Sequence, residues 1–177
     1  VVIGDVKSIN VDATGKLIAE GLATKPIRIH ASDKAKPFAQ LRASNGGTMR
    51  FAYVEIEDGG APQNTIIDVI GTIHAQGADQ TLPSQQTVFV DHVTVKGSRS
   101  NGVFLADGAG FAAGSNELTI TGSANFAMSI SPRAIATVPV GKYTGNAIDE
   151  IVLPGGGGAN AVQEDATMHD RGVPYRI

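Results

Sequence analysis

Three short features of this sequence recur at one interval, and that interval limits what the chain can fold into. Val93-Thr94-Val95 returns as Leu118-Thr119-Ile120, and Lys96-Gly97-Ser98 returns as Thr121-Gly122-Ser123. Val103-Phe104-Leu105 returns as Met128-Ser129-Ile130, and the same offset separates all three pairs, as from position 93 to position 118. Each copy reads strand, glycine turn, strand. An internal period in the range of roughly 20–50 residues marks stacked units, none of which can bury its apolar side alone.

The same pattern extends backwards less regularly. The step from Ile27 to Val54 is close to that offset, whereas the step from Val54 to Val93 is half as long again. Met49 to Glu57 reads as an alternating strand, with Val54 and Ile56 on one side and Tyr53, Glu55 and Glu57 on the other. The polar stretch 71–86 reads as a loop inserted into the long step, and 154–177 as an irregular closing segment that ends on an extended run from Val173. Helical repeats are excluded by the absence of period-3.6 stripes and by 22 glycines in 177 residues, since glycine weakens helix interiors. The expectation is one domain over residues 1–177, all-β, folded as a parallel β-helix solenoid with coils of about 25 residues, right-handed by the family resemblance given below. It is preferred to an antiparallel sandwich because three features hold one offset.

Charge and hydropathy remove several function classes. The net charge is −3, with no block of five like charges, so no nucleic-acid footprint is expected. No run of about 18 apolar residues predicts a membrane span. There is no cysteine, which excludes disulfides and thiolate metal sites. The sequence opens at Val1 without a Met or a signal peptide, so a mature or excised piece of a longer chain with flanking domains is expected.

Stacking also orders the outward side chains. With the long step applied first and the regular offset second, Tyr53 falls over His92 and His92 over Glu117. Glu55 falls over Thr94 and Thr119, and Glu57 over Lys96 and Thr121. Neighbours within a line are expected about 4.8 Å apart at the backbone, close enough for His92 to hydrogen-bond Glu117 and for Glu57 to pair with Lys96. Tyr53, Glu55, Glu57, His92, Thr94, Lys96 and Glu117 are therefore the candidate binding residues. Tyr53 is the stacking platform, and the carboxylates and hydroxyls are partners for sugar hydroxyls. The same face is also what a solvated sheet with paired opposite charges looks like.

The apolar triplets followed by Gly-Ser or Gly-Gly turns resemble right-handed β-helix repeats of the pectate-lyase-like superfamily, in particular its bacterial surface and lipoprotein members. Gly15 to Gly21 with Lys25 to Ile29 resembles the opening of such modules, Tyr53 to Glu57 their recurring coil, and Tyr143 to Asn146 with Arg171 to Ile177 their closing stretch. The resemblance implies an exported or cell-surface bacterial protein. It does not imply a reaction. Val88-Phe89-Val90-Asp91-His92 weakly resembles a calcium-binding segment of pectate lyases, but Phe89 stands where those enzymes carry Trp and no acidic ligand cluster accompanies it. No basic residue is placed to take a proton α to a carboxylate, and the paired aspartates of polygalacturonases are not recognisable. Gly155 to Gly158 lacks the Lys-Ser or Lys-Thr of a phosphate loop, and His30, His74 and His169 lack metal-ligand spacing. The functional expectation is a structural or adhesive module with a polysaccharide or cell-envelope partner, no catalytic residue, no metal and no cofactor. The rival is a polysaccharide-active enzyme, lyase or hydrolase, working through His92 and Glu117.

Overall fold

The computed structural model describes residues 1–61, 70–79, 85–154, 162 and 165–177. The apolar run 66–69, positions 80–84 of the expected loop and the glycine tract 155–158 lie outside the described residues. The chain forms β1 (Val2–Ile3), β2 (Ile9–Asp12), β3 (Lys16–Glu20), β4 (Ile27–Ala31) and β5 (Leu41–Ser44). The long strands β6 (Thr48–Glu57) and β8 (Gln85–Lys96) enclose β7 (Gly71–Gln76) in sequence. There follow β9 (Asn101–Ala106), β10 (Ala109–Phe111), β11 (Asn116–Thr121) and β12 (Phe126–Ile130). A short 3-10 turn at Pro132–Thr137 precedes β13 (Gly141–Lys142), β14 (Ile148–Val152) and β15 (Tyr175–Arg176). Among the described residues no helix is long and apolar enough to cross a membrane.

These strands build two sheets, and every pairing between them is parallel. The first has eight strands, ordered β1-β4-β6-β8-β11-β13, with β3 on β6 and β10 on β8. The second has seven, ordered β15-β14-β12-β9-β7-β5-β2. Their inward residues meet in one core: Val54, Val93 and Leu118 are in register on one side, and Ile73, Val103 and Met128 on the other, all at most 1% exposed. The alternation is clearest in β11, where Leu118 and Ile120 are buried between Glu117, Thr119 and Thr121. β-Branched residues dominate the inward positions because they fit a pleated, half-buried surface.

The repeat offset is met where it was read. Val93 pairs with Leu118, and Val103 with Met128. The global expectation is corrected. The structure is a two-layer parallel β stack of eight and seven strands, not a closed right-handed parallel β-helix solenoid with coils of about 25 residues. No ladder joins the two sheets among the described residues. The long step from Val54 to Val93 and the step from Ile27 to Val54 are met as read, while the step from Leu118 to Gly141 is shorter than that from Val93 to Leu118. Each sheet satisfies its own backbone hydrogen bonds, so linkers of unequal length are tolerated on its rim.

One local expectation changes as well. The predicted loop 71–86 contains β7, a central strand between β5 and β9, and the start of β8. The extended run expected from Val173 holds β15, which pairs with β14.

The rim holds its turns with side chains. Asp149 accepts hydrogen bonds from the backbone N–H of Asn146 at 2.8 Å and of Gly145 at 3.1 Å. These bonds, that of Asn146 first, hold its carboxyl below the ordinary aspartate range. A depressed carboxyl stabilises the folded turn above its unfolded titration range and loses that contribution as pH falls through the folded value. In a pH titration followed by NMR, the amide resonances of Gly145 and Asn146 move together in the acid range. Asp149→Ala removes that transition; its persistence in the variant would show that another group holds the turn.

Candidate functional site

The outward side chains of β6, β8 and β11 are organised by a break in strand alternation. In β6, Met49 and Phe51 point into the core, and so do Val54 and Ile56, which leaves Ala52 and Tyr53 as two consecutive outward residues. β8 repeats this with Val88, Val90, Val93 and Val95 inward and Asp91 and His92 outward. In β11, Asn116 and Glu117 precede buried Leu118. The second residue of each pair has a left-handed backbone, with φ of 50° at Tyr53, 52° at His92 and 48° at Glu117. Pairing passes over all three, from Ala52–Asp91 to Val54–Val93 and from Asn116–Asp91 to Leu118–Val93. The strand reading of Met49 to Glu57 is thereby corrected: the alternation restarts at Tyr53. A left-handed non-glycine residue costs roughly 1–2 kcal/mol, and here three stand one above another.

That geometry brings the predicted column together. The rings of Tyr53 and His92 are stacked, with centroids 4.5 Å apart and planes 23° from parallel. His92 Nε2 lies 3.0 Å from Glu117 Oε2, and His92 Nδ1 lies 2.8 Å from Asp91 Oδ1. Both ring nitrogens therefore face carboxylate oxygens, and a ring bearing both N–H protons donates to both. The imidazole has its edges held by two carboxylates and a face against the phenol. The side chains of His92 and Glu117 remain 40% and 55% exposed.

The other two lines follow the predicted register with one departure. Glu55 pairs with Thr94, and Thr94 with Thr119. Glu55 also forms an ion pair with Arg28 at 2.6 Å, which raises the Arg28 guanidinium above its usual range through that hydrogen bond. Glu57 pairs in register with Lys96, and Lys96 with Thr121. The ion pair expected between Glu57 and Lys96 is absent among the described residues. An exposed pair of this kind gains about 0–1 kcal/mol and must order two long side chains to do so.

Sequence reasoning missed three participants. Asp91 was visible beside His92, but only the left-handed turn at His92 lets the two neighbours share one side of the sheet. Arg50 lies with its guanidinium carbon 3.8 Å from the centroid of the Phe89 ring and bonds Glu20 at 2.6 Å. Applying to Arg50 the step that carries Val54 to Val93 gives Phe89, so that contact was legible. Arg28 over Glu55 follows in the same way from the step that carries Ile27 to Val54.

Of the candidate residues, Glu57 and Lys96 line a surface cleft of about 360 Å³ together with Lys34, Asp58 and Arg99. Comparison with protein-family models, with curated proteins and with solved structures finds no match to this chain.

Proposed function

We propose that this chain is a non-enzymatic adhesive or structural module that holds polysaccharide on the face around Tyr53, His92 and Glu117. On this reading it works outside the cell or at a bacterial surface and uses no cofactor. The observation that carries the reading is the column itself: the Tyr53 ring stacks on His92 at 4.5 Å, and Asp91 and Glu117 oxygens stand 2.8 and 3.0 Å from the His92 ring nitrogens, on a sheet face where His92 is 40% exposed. The face offers what sugars bind: an aromatic ring, carboxylates, and the Thr94 and Thr119 hydroxyls at strand spacing.

The test is a panel of neutral and uronic-acid polysaccharides, scored by affinity electrophoresis and by release of unsaturated products or reducing ends. Retention without turnover is expected, and Tyr53→Ala should weaken retention roughly threefold to tenfold, the loss of one aromatic stacking contact of about 0.5–1.5 kcal/mol. Turnover that disappears in His92→Ala would replace this reading with the enzymatic one. Retention unchanged in Tyr53→Ala and His92→Ala would move the binding face elsewhere.

A further inference from the structure

Three strands of the first sheet end on the same turn, one above another. β6 ends at Glu57, β8 at Lys96 and β11 at Thr121. The next residue in each has a left-handed backbone, with φ of 59° at Asp58, 69° at Gly97 and 68° at Gly122. The turns are bonded to one another: Asp58 N–H donates to Lys96 C=O at 3.0 Å, and Gly97 N–H to Thr121 C=O at 3.0 Å. Glycine takes this conformation without strain, and at 97 and 122 it also leaves no side chain over the turn. A Cβ on Gly122 would meet only the Gly97 backbone, at 3.4 Å and beyond.

The cleft of about 360 Å³ opens over these turns, and three cations, Lys34, Lys96 and Arg99, line it. Two hydrogen bonds fix its far wall. Arg99 N–H donates to Gly59 C=O at 2.8 Å, and Arg99 Nη2 donates to Lys34 C=O at 3.2 Å. The second bond holds the turn bridged by Asp33 and Lys36 against Arg99. Among the described residues none of the three cations forms an ion pair, although Glu57 and Asp58 also line the cleft. Elsewhere the chain pairs its arginines with carboxylates: Arg28 with Glu55, Arg50 with Glu20 and Arg176 with Glu150. A protein of net charge −3 thus gathers three unpaired cations around one cleft.

We propose that this cleft binds a sulfate or phosphate ester group of the glycan held by the column. The inference rests on the proposed function and names the class of glycan, one that carries tetrahedral oxyanions. A carboxylate is satisfied by one guanidinium, as the three arginine–glutamate pairs show. An ester of sulfate or phosphate presents three terminal oxygens and can accept from three donors that approach from different sides. Glu57 and Asp58 offset much of the surrounding positive field, so binding depends on direct contact with the three donors. Lys96 lies four residues beyond His92 on β8, with Glu57 beside it in register. That separation is roughly 13 Å along a strand, within reach of a chain of a few sugars that starts at the Tyr53 ring.

The test keeps one backbone and varies its substituent. Unmodified dextran, carboxymethyl dextran, dextran sulfate and dextran phosphate are compared by affinity electrophoresis of the whole chain. Dextran sulfate or dextran phosphate should retain the chain more strongly than carboxymethyl dextran of equal charge density, and the stronger of the two identifies the ester. Lys34→Gln, Lys96→Gln and Arg99→Gln should each weaken that retention roughly threefold, as expected for one exposed charged contact. Lys16→Gln removes the same charge away from the cleft and should leave retention at the parent value. Should a cleft variant fail to fold, the ranking of the four dextrans by the parent chain still decides. Equal retention on carboxymethyl dextran overturns the proposal, and so does an equal loss in Lys16→Gln. Tyr53→Ala reports on the column separately. Loss in Tyr53→Ala without loss in the cleft variants removes this inference alone, whereas the reverse keeps the cleft and removes the column as the glycan site.

Discussion

Val93→Asp abolishes folding of the chain, while Thr94→Asp, one residue further on, leaves it folded. Val93 is 1% exposed and lies in register between Val54 and Leu118. Its side chain points into the space between the sheets, where neither neighbour in its line can accept or donate a hydrogen bond. A carboxylate placed there loses its hydration without gaining a partner, a penalty of several kcal/mol. The whole domain is held by only about 5–15 kcal/mol, so one such group removes most or all of the margin. Thr94 lies on the opposite face between Glu55 and Thr119. An aspartate there keeps its water and meets one like charge across the strand, which costs roughly 0.2–1 kcal/mol. Far-UV circular dichroism and thermal melts of the two variants measure the contrast. A Val93→Asp protein melting within a few degrees of the parent would mean that this line of residues does not form the core.

The parts of the fold that were legible are those in which neighbouring strands repeat both spacing and chemistry. Val93 over Leu118 could be read because both are large, apolar and followed two positions later by another apolar residue, and because the same glycine turn follows. β7 was misread as loop for the opposite reason. Its inward positions are Gly71, Ile73 and Ala75, so only one bulky apolar residue marks it. Its polar outward residues are held by partners distant in sequence, His74 by Gln40 at 2.8 Å and Gln76 by Asp107 at 2.6 Å. A strand that takes its stability from neighbours in this way has little hydrophobic period of its own.

The candidate column was legible as adjacency but not as geometry. Counting offsets places Tyr53, His92 and Glu117 in one line. Of those three residue types only histidine is enriched in the left-handed region, which is uncommon for any residue but glycine, so the residues alone do not announce three such backbones in a line. That conformation turns Asp91 and His92 to the same side and gives the imidazole its second carboxylate. The closure of the fold was illegible on other grounds. A repeat fixes the register between one strand and the next, but two separate sheets and one wound coil share that local rule. Unequal linkers, short before Gly141 and long before Val93, loosen it further.

Gly71→Val should cost the domain at least about 3 kcal/mol, the upper end for forcing volume into a packed interior. Gly71 opens β7, is buried, and lies in register with Asn101 of β9. A Cβ built on it would stand 2.6 Å from the backbone nitrogen of Phe104, 2.8 Å from the carbonyl oxygen of Ile73 and 2.8 Å from the carbonyl carbon of Val103. All three are backbone atoms, so no side chain can swing away to make room. The two branches of valine add to the crowding, and relief requires β7 and β9 to separate where their ladder begins. At roughly 2–4 °C per kcal/mol, typical of a chain this long, the melting temperature should fall by about 6–12 °C or more. Gly4→Ala is the matched control, because its Cβ would meet only the Lys7 side chain at 3.6 Å. There the loss of unfolded-state freedom alone should give a change between zero and a gain of about 1 kcal/mol. Equal melting temperatures for Gly71→Val and the parent protein would show that β7 does not approach β9 this closely, and would return residues 71–76 to the loop that their composition suggested.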